Sequence, residues 1–146
     1  LIKEAGIQPS MLEFEITESI LLDNFEIINN KLNDIKKLGI AIALDDFGTG
    51  YSSFARLREL KVDTVKIDQY FISKISELDN RDLLTADIIS MSHKLGLHVV
   101  AEGVEKREHK EYLDEYQCDI LQGYLISKPL KYDKALEFLS VFKVSA

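Results

Sequence analysis

The amino-acid sequence predicts an α/β fold, specifically a partial (β/α)8 barrel of about five βα units. Five short β-prone runs each end in a polar residue and lead through a loop into a helical pattern. Such alternation predicts parallel strands joined by right-handed crossover helices, which occur in open doubly wound sheets and in eight-stranded barrels. The polar strand ends favour the barrel, because its strands direct the side chains at their carboxyl ends into one mouth.

Candidate strands and helices follow from local composition and periodicity. The five β-prone runs cover residues 12–15, 40–45, 62–66, 98–102 and 119–122. The helical patterns lie near residues 23–38, 53–60, 81–95, 106–116 and 132–142. Around the first run, the alternation of Phe14, Glu15 and Ile16 predicts that Glu15 points into the barrel while its apolar neighbours face the helices.

Two of the helical patterns have apolar residues three or four positions apart, which predicts one buried face on each helix. In the pattern near 23–38 these residues are Ile28, Leu32, Ile35 and Leu38. In the pattern near 81–95 they are Leu84, Ile88, Met91 and Leu95. Asp23 is placed to cap the start of the first helix and Gly39 to end it.

The length of 146 residues corresponds to one domain, yet a complete (β/α)8 barrel needs about 250 residues. The sequence is therefore roughly 100 residues, or about three βα units, short of such a barrel. The opening residues 1–6 are typical of the last turn of a helix with Gly6 at its left-handed end. We expect residues 1–146 to form the C-terminal portion of one domain whose earlier units lie upstream of Leu1.

Composition and charge exclude several classes of protein. The sequence has 18 Lys and Arg residues against 25 Asp and Glu residues, and its net charge of −7 argues against binding of nucleic-acid polymers. Cys118 is the single cysteine, so no intramolecular disulfide can form and a reducing compartment is expected. The longest charge-free stretches, such as 38–44, are too short to span a bilayer. These features predict a cytoplasmic domain without direct membrane contact.

The polar residues expected at the mouth of the barrel form an acidic cluster. These residues are Glu15, Asp45, Asp46, Lys66, Glu102 and Gln122. Four carboxylates and one ammonium give a charge of −3 in one cavity, which is costly unless cations neutralise it. Ligands that are all oxygens favour Mg²⁺ or Mn²⁺ over zinc, and two such ions would suit a phosphodiester. The pattern therefore indicates a two-metal centre that activates water for an in-line displacement.

Five motifs, in this order along the chain, resemble those of the EAL family of cyclic di-GMP phosphodiesterases. They are EFEITES at 13–19, DDFGTGYSS at 45–53, VKID at 65–68, AEGVE at 101–105, and QGY at 122–124 followed by Pro129. The resemblance implies a modified (β/α)8 barrel and an enzyme of bacterial second-messenger signalling. Such enzymes use Mg²⁺ or Mn²⁺ to open one phosphodiester bond of cyclic di-GMP, which gives linear pGpG.

The resemblance also implies a role for each residue at the mouth. Glu15 and Asp45 match ligands of a first metal ion, and Asp45 also bridges to a second ion. Asp46 and Glu102 match ligands of that second ion. Lys66 matches the lysine that holds the hydrolytic water. On this basis the metal ligands and the catalytic lysine all lie at strand ends.

Three further residues match supporting positions of the family. Gln122 matches a glutamine near the catalytic water, and Glu105 matches a carboxylate that supports the metal ligands. Glu18 matches the glutamate that steadies the loop after Asp46. In the family that loop shapes metal binding and often forms the dimer contact, so the resemblance implies a homodimer.

Departures from the family pattern leave alternatives open. The Glu-Ala-Leu motif and the asparagine of the following strand complete the first metal site in the family; they are absent from the sequence and expected upstream of Leu1. A catalytically silent relative that binds cyclic di-GMP or a partner protein is one alternative. A structural half-product that self-associates through unpaired strand edges is another. The presence of Glu15, Asp45, Asp46, Lys66 and Glu102 favours an active enzyme over these alternatives.

Overall fold

The computed structural model describes residues 4–22, 24–48, 54–77 and 83–141, in which five parallel strands form one sheet. The strands are β1 (Glu13–Thr17), β2 (Ala41–Phe47), β3 (Thr64–Ile67), β4 (His98–Ala101) and β5 (Ile120–Leu121). Each strand pairs with the next along the chain, so the order across the sheet is β1-β2-β3-β4-β5. A doubly wound sheet reverses its order at a switch point, whereas a barrel adds each strand at the same edge. The predicted barrel architecture is therefore confirmed.

Helices alternate with the strands, as the sequence predicts. They are α1 (Phe25–Lys37), α2 (Phe54–Glu59), α3 (Gln69–Lys74), α4 (Thr85–Lys94), α5 (Arg107–Glu115) and α6 (Tyr132–Val141), with short 3₁₀ helices at Pro9–Met11 and Glu18–Leu22. The expected helix positions 53, 81, 82 and 142 and the predicted cap Asp23 lie outside the described residues. Within the described part of the chain, no helix has the length and apolarity that a membrane span requires.

Helix α3 is absent from the sequence-based prediction. It has six residues, and the Asp68 carboxylate caps its start by accepting a hydrogen bond from Tyr70 N at 2.8 Å. Aspartate is a favoured helix-capping residue, so Asp68, two positions after the predicted run 62–66, could have predicted this helix. Ile72 is fully buried and packs α3 against the core.

Helix α1 packs against the core along most of its predicted apolar face. Leu32 is buried, and Ile28 and Ile35 are partly buried against the core. The prediction is wrong at Leu38, which lies just beyond the helix and is 63% exposed. Gly39 then adopts φ +84°, a left-handed conformation that suits glycine at the end of a helix.

The buried face of α4 differs from the predicted one. Leu84 and Met91 are exposed, whereas Ile88 is buried as predicted. The residues of α4 that face the core are Thr85, Ile88, Ile89 and Ser92. Two small polar side chains, Thr85 and Ser92, therefore lie against the core at positions that the apolar pattern left to solvent. The predicted face is therefore wrong at Leu84 and Met91, whereas its other two members are buried (Ile88) or partly buried against the core (Leu95).

The hydrophobic core lies between the sheet and the helices. Alternate residues of the central strands are fully buried there: Ile42, Leu44, Val65, Ile67 and Val99. Because successive side chains of a strand point to opposite faces, the residues between them lie on the other face of the sheet. On that face Thr64 Oγ1 donates a hydrogen bond to Glu13 Oε2 at 3.1 Å, across β2. The polar residues of the strands are thus gathered on one face.

Two aspartates tie neighbouring strands together where the strands begin. Asp63, directly before β3, accepts a hydrogen bond from Ile42 N of β2 at 3.0 Å. Asp119, directly before β5, accepts one from Val99 N of β4 at 2.7 Å, and its Oδ2 lies 2.9 Å from His93 Nε2. Each carboxylate bonds to the backbone of the preceding strand, so these two aspartates help to fix the register between β2 and β3 and between β4 and β5. They lie at the end of the sheet opposite the polar strand ends.

We expect Asp119→Asn to lower the free energy of unfolding by about 1 kcal/mol at pH 7, because the carboxylate is the stronger acceptor. Burial raises the pKa of Asp119, but hydrogen bonds from His93 and Val99 N outweigh it and hold that pKa below its usual value. A lowered pKa contributes stability above the unfolded value of about 3.9, and this contribution is lost as pH falls through the folded pKa. Urea unfolding of both proteins at pH 7 and pH 3 measures the effect. If the two proteins differed as much in their free energy of unfolding at pH 3 as at pH 7, this role of Asp119 would be contradicted.

Candidate metal centre and adjoining cleft

Three carboxylates from two strands meet at the carboxyl end of the sheet. Asp45 and Asp46 lie near the end of β2, and Glu102 directly follows β4. One carboxylate oxygen from each lies within 4.8 Å of the others, and all three side chains are half-buried. Oxygen ligands grouped in this way can serve one hard divalent cation. The structure therefore brings together three of the four predicted metal ligands.

A β-bulge explains how two adjacent aspartates reach the same place. The pairing of β2 with β3 joins Leu44 to Val65 and then Phe47 to Ile67, so β2 contains one extra residue between these pairs. Asp46 has φ +56°, in the left-handed region that non-glycine residues rarely adopt. Adjacent side chains of a regular strand would point to opposite faces, whereas a bulge re-aims one of them. The bulge was not predicted from the sequence. The one feature of the sequence that could have indicated it is the pair of adjacent acids, Asp45 and Asp46.

Lys66 of β3 lies at the centre of the carboxylates. Its ammonium nitrogen is 2.8 Å from Glu15 Oε1, 2.9 Å from Glu102 Oε1 and 3.1 Å from Asp45 Oδ1, and its side chain is only 7% exposed. Burial lowers the pKa of Lys66, but hydrogen bonds with Glu15, Glu102 and Asp45 outweigh burial and raise that pKa well above its usual range. Lys66 therefore stays positively charged at neutral pH and partly offsets the four acids.

Glu15 lies to one side of the three-carboxylate group. It pairs with Ala43 in the sheet, whereas Asp45 pairs with Thr17, so Glu15 sits two residues earlier in the strand direction. It is joined to Asp45 and Glu102 through Lys66, and its side chain is about half exposed. The sequence pattern placed Glu15 at the same strand-end level as Asp45, and the strand register corrects that placement.

Glu18 connects the end of β1 to the turn after the aspartate pair. Its side chain is buried, and its Oε2 accepts a hydrogen bond from Gly48 N at 3.0 Å. Gly48 has φ +96°, and a Cβ at this position would lie 2.6 Å from the ring of Phe71. The turn therefore requires glycine at its first residue. The rest of the loop, 49–53, and with it the predicted dimer contact, lies outside the described residues.

A cleft of about 600 Å³ adjoins the three-carboxylate group. Its lining includes Asp46, Glu102, Glu105, Gln122, Tyr124 and Lys128. Gln122 follows β5, where its N donates to Ala101 O at 2.8 Å and its O accepts from Val104 N at 3.0 Å. Lys128 Nζ lies 5.5 Å from the centre of the Tyr124 ring. The lining of the cleft thus combines acidic side chains with a lysine. Lys128 was not predicted, although it directly precedes Pro129 of the last motif.

Comparisons with known proteins agree with this architecture. The family model described as "EAL domain" matches residues 1–129. The cyclic di-GMP phosphodiesterase NbdA of Pseudomonas aeruginosa is 42% identical over 146 residues, which cover 99% of this chain and 18% of NbdA. This chain therefore spans less than a fifth of that relative.

Solved structures give the same result. The MucR phosphodiesterase of Pseudomonas aeruginosa in complex with c-di-GMP superposes with a TM-score of 0.86 at 32% identity, covering 92% of this chain and 54% of that one. Klebsiella pneumoniae BlrP1, solved with manganese and cyclic di-GMP, has a TM-score of 0.80 at 30% identity, covering 88% of this chain and 33% of that one. Family match, identity and fold agree over most of the sequence. This chain belongs to the EAL domain family.

Proposed function

We propose that residues 1–146 form the C-terminal portion of an EAL phosphodiesterase domain that hydrolyses cyclic di-GMP to linear pGpG. The observation that carries this proposal is the group of Asp45, Asp46 and Glu102, whose carboxylate oxygens lie within 4.8 Å of one another beside the cleft. Hydrolysis of a phosphodiester needs an activated water and stabilisation of negative charge. A carboxylate group that holds divalent cations next to a cleft meets both needs.

Mg²⁺ or Mn²⁺ is the proposed cofactor, with two ions per complete site. The donors are all carboxylate oxygens, which suit hard divalent ions, and BlrP1 was solved with manganese and cyclic di-GMP. Asp46 and Glu102 would hold one ion, Glu15 would hold the other, and Asp45 would bridge the two. When bound, such ions activate the attacking water and stabilise the attacking and leaving oxygens.

The remaining residues of the site would position the water and the substrate. The Lys66 ammonium is a hydrogen-bond donor at the centre of the carboxylates, where it could orient the water. Gln122 and Glu105 line the cleft, where Gln122 could hold the water or a phosphate oxygen. Lys128 also lines the cleft, and its positive charge would suit a phosphate of cyclic di-GMP. A homodimer formed through the loop after Asp46 is also proposed.

Turnover of cyclic di-GMP tests this function directly. We expect residues 1–146, when joined to the upstream part of the domain, to convert cyclic di-GMP to pGpG in the presence of Mn²⁺ or Mg²⁺. This activity should be lost with EDTA, as followed by ion-exchange chromatography. Metal-independent binding without hydrolysis would favour the silent regulatory relative. Neither binding nor turnover at saturating metal would contradict the proposal.

A further inference from the structure

The Lys66 ammonium lies within ion-pairing distance of three carboxylates. Three carboxylates lie 2.8–3.1 Å from Lys66 Nζ, and they come from three segments of the chain: Glu15 in β1, Asp45 in β2 and Glu102 after β4. The Lys66 side chain is 7% exposed, so solvent has little access to it. The three ion pairs therefore hold the Lys66 ammonium among carboxylates and away from bulk solvent.

The partners of Lys66 overlap with the proposed metal ligands. Asp45 and Glu102 both contact Lys66, and both belong to the group whose oxygens lie within 4.8 Å of one another. A divalent cation among these oxygens would lie within a few ångströms of the ammonium. At such distances two positive charges repel strongly in a partly buried site. Lys66 and the cation would therefore bind the same two carboxylates, those of Asp45 and Glu102.

We infer that Lys66 competes with the divalent cation for the Asp45 and Glu102 carboxylates. A cation held by these two carboxylates would weaken their ion pairs with Lys66. Lys66 thus lowers the affinity of the site for metal while it holds the carboxylates of three segments together. This inference rests on the proposed metal centre and adds to it a role for Lys66 in setting the affinity of the site for metal.

Metal affinity of a charge-removing variant tests the competition. Lys66→Met keeps much of the length of the side chain and removes its charge, so Mn²⁺ should bind at least about tenfold tighter than in the unmodified protein. Lys66→Arg keeps the charge and should bind Mn²⁺ with an affinity within about threefold of the unmodified protein. Free Mn²⁺ measured by electron paramagnetic resonance gives all three affinities without any assay of activity.

The outcomes separate the competition from the proposed metal centre. Equal or weaker Mn²⁺ binding by Lys66→Met, with binding intact in the unmodified protein, overturns the competition and leaves the metal centre standing. Binding in neither protein overturns both. Binding by Lys66→Met alone supports the competition.

A measurement on the unmodified protein covers the case in which Lys66→Met does not fold. The ¹⁵N resonance of the Lys66 ammonium should shift as Mg²⁺ is added, in parallel with the backbone amide of Glu102. An ammonium resonance that stays unchanged while the Glu102 amide reaches saturation would overturn the competition.

Discussion

Replacing Asp45 with asparagine should lower the turnover of cyclic di-GMP by more than about a hundredfold, since loss of groups that merely support metal ligands already costs ten- to a hundredfold. Asp45 Oδ1 accepts the hydrogen bond of Asp46 N at 3.1 Å and lies 3.1 Å from Lys66 Nζ. It therefore supports the bulge, contacts the lysine and belongs to the three-carboxylate group. Asparagine keeps the size of the side chain but removes the charge that a divalent cation needs.

The measurement is the initial rate of pGpG formation with saturating Mn²⁺, together with Mn²⁺ affinity. A matched control is Asp114→Asn, which also replaces an aspartate that pairs with a lysine, but on the exposed surface of α5. The control should retain full activity and full metal affinity. Near-normal turnover in Asp45→Asn would contradict the assignment of Asp45 as a bridging ligand.

Gly123→Ala should lower the free energy of unfolding by about 3 kcal/mol or more, the range that severe overpacking reaches. A Cβ at Gly123 would lie 2.3 Å from both the N and the O of Val104. These are backbone atoms, and both already form hydrogen bonds: Val104 N donates to Gln122 O, and Val104 O accepts from Leu125 N. Relief of the overlap would therefore break bonds that hold the loop after β5, where Gln122 enters the cleft.

The melting temperature is the simplest measurement, and for a domain of this size the expected fall is about 10 °C. Gly96→Ala is the matched control, because Gly96 has φ +76° but a Cβ added there would meet no atom within 4 Å. It therefore reports the cost of the left-handed backbone alone, about 1–2 kcal/mol. A Gly123→Ala protein that is as stable as the unmodified protein would show that the loop after β5 can move aside without cost.

Strand order and the convergence of polar residues could be predicted from the sequence because both depend on local patterns. The polar ends of consecutive parallel strands lie at one edge of a barrel, so the proximity of Asp45, Lys66 and Glu102 followed from the order of the motifs. The ion pairs of Lys66 with Asp45 and Glu102 have this origin. The five predicted strands overlap the five observed ones for the same reason.

The features that could not be predicted depend on the register of strands and on tertiary packing. Nothing in the alternation of residues places the extra residue of β2 next to Asp46, since a bulge is defined only against the partner strand. The depth of Glu15 relative to Asp45 likewise depends on how β1 is aligned with β2. On α4, Thr85 and Ser92 are buried beside Ile88 and Ile89, and a pattern of apolar residues cannot identify these two polar positions.

Anomalous scattering from crystals soaked in Mn²⁺ tests most directly whether these carboxylates form a divalent-metal centre. We expect manganese peaks within coordination distance of Asp45, Asp46 and Glu102, at about 2.2 Å from their oxygens. We also expect these peaks to disappear in crystals of Asp45→Asn. Manganese bound only at other carboxylates, with none at this group when the soak is saturating, would contradict the proposed centre.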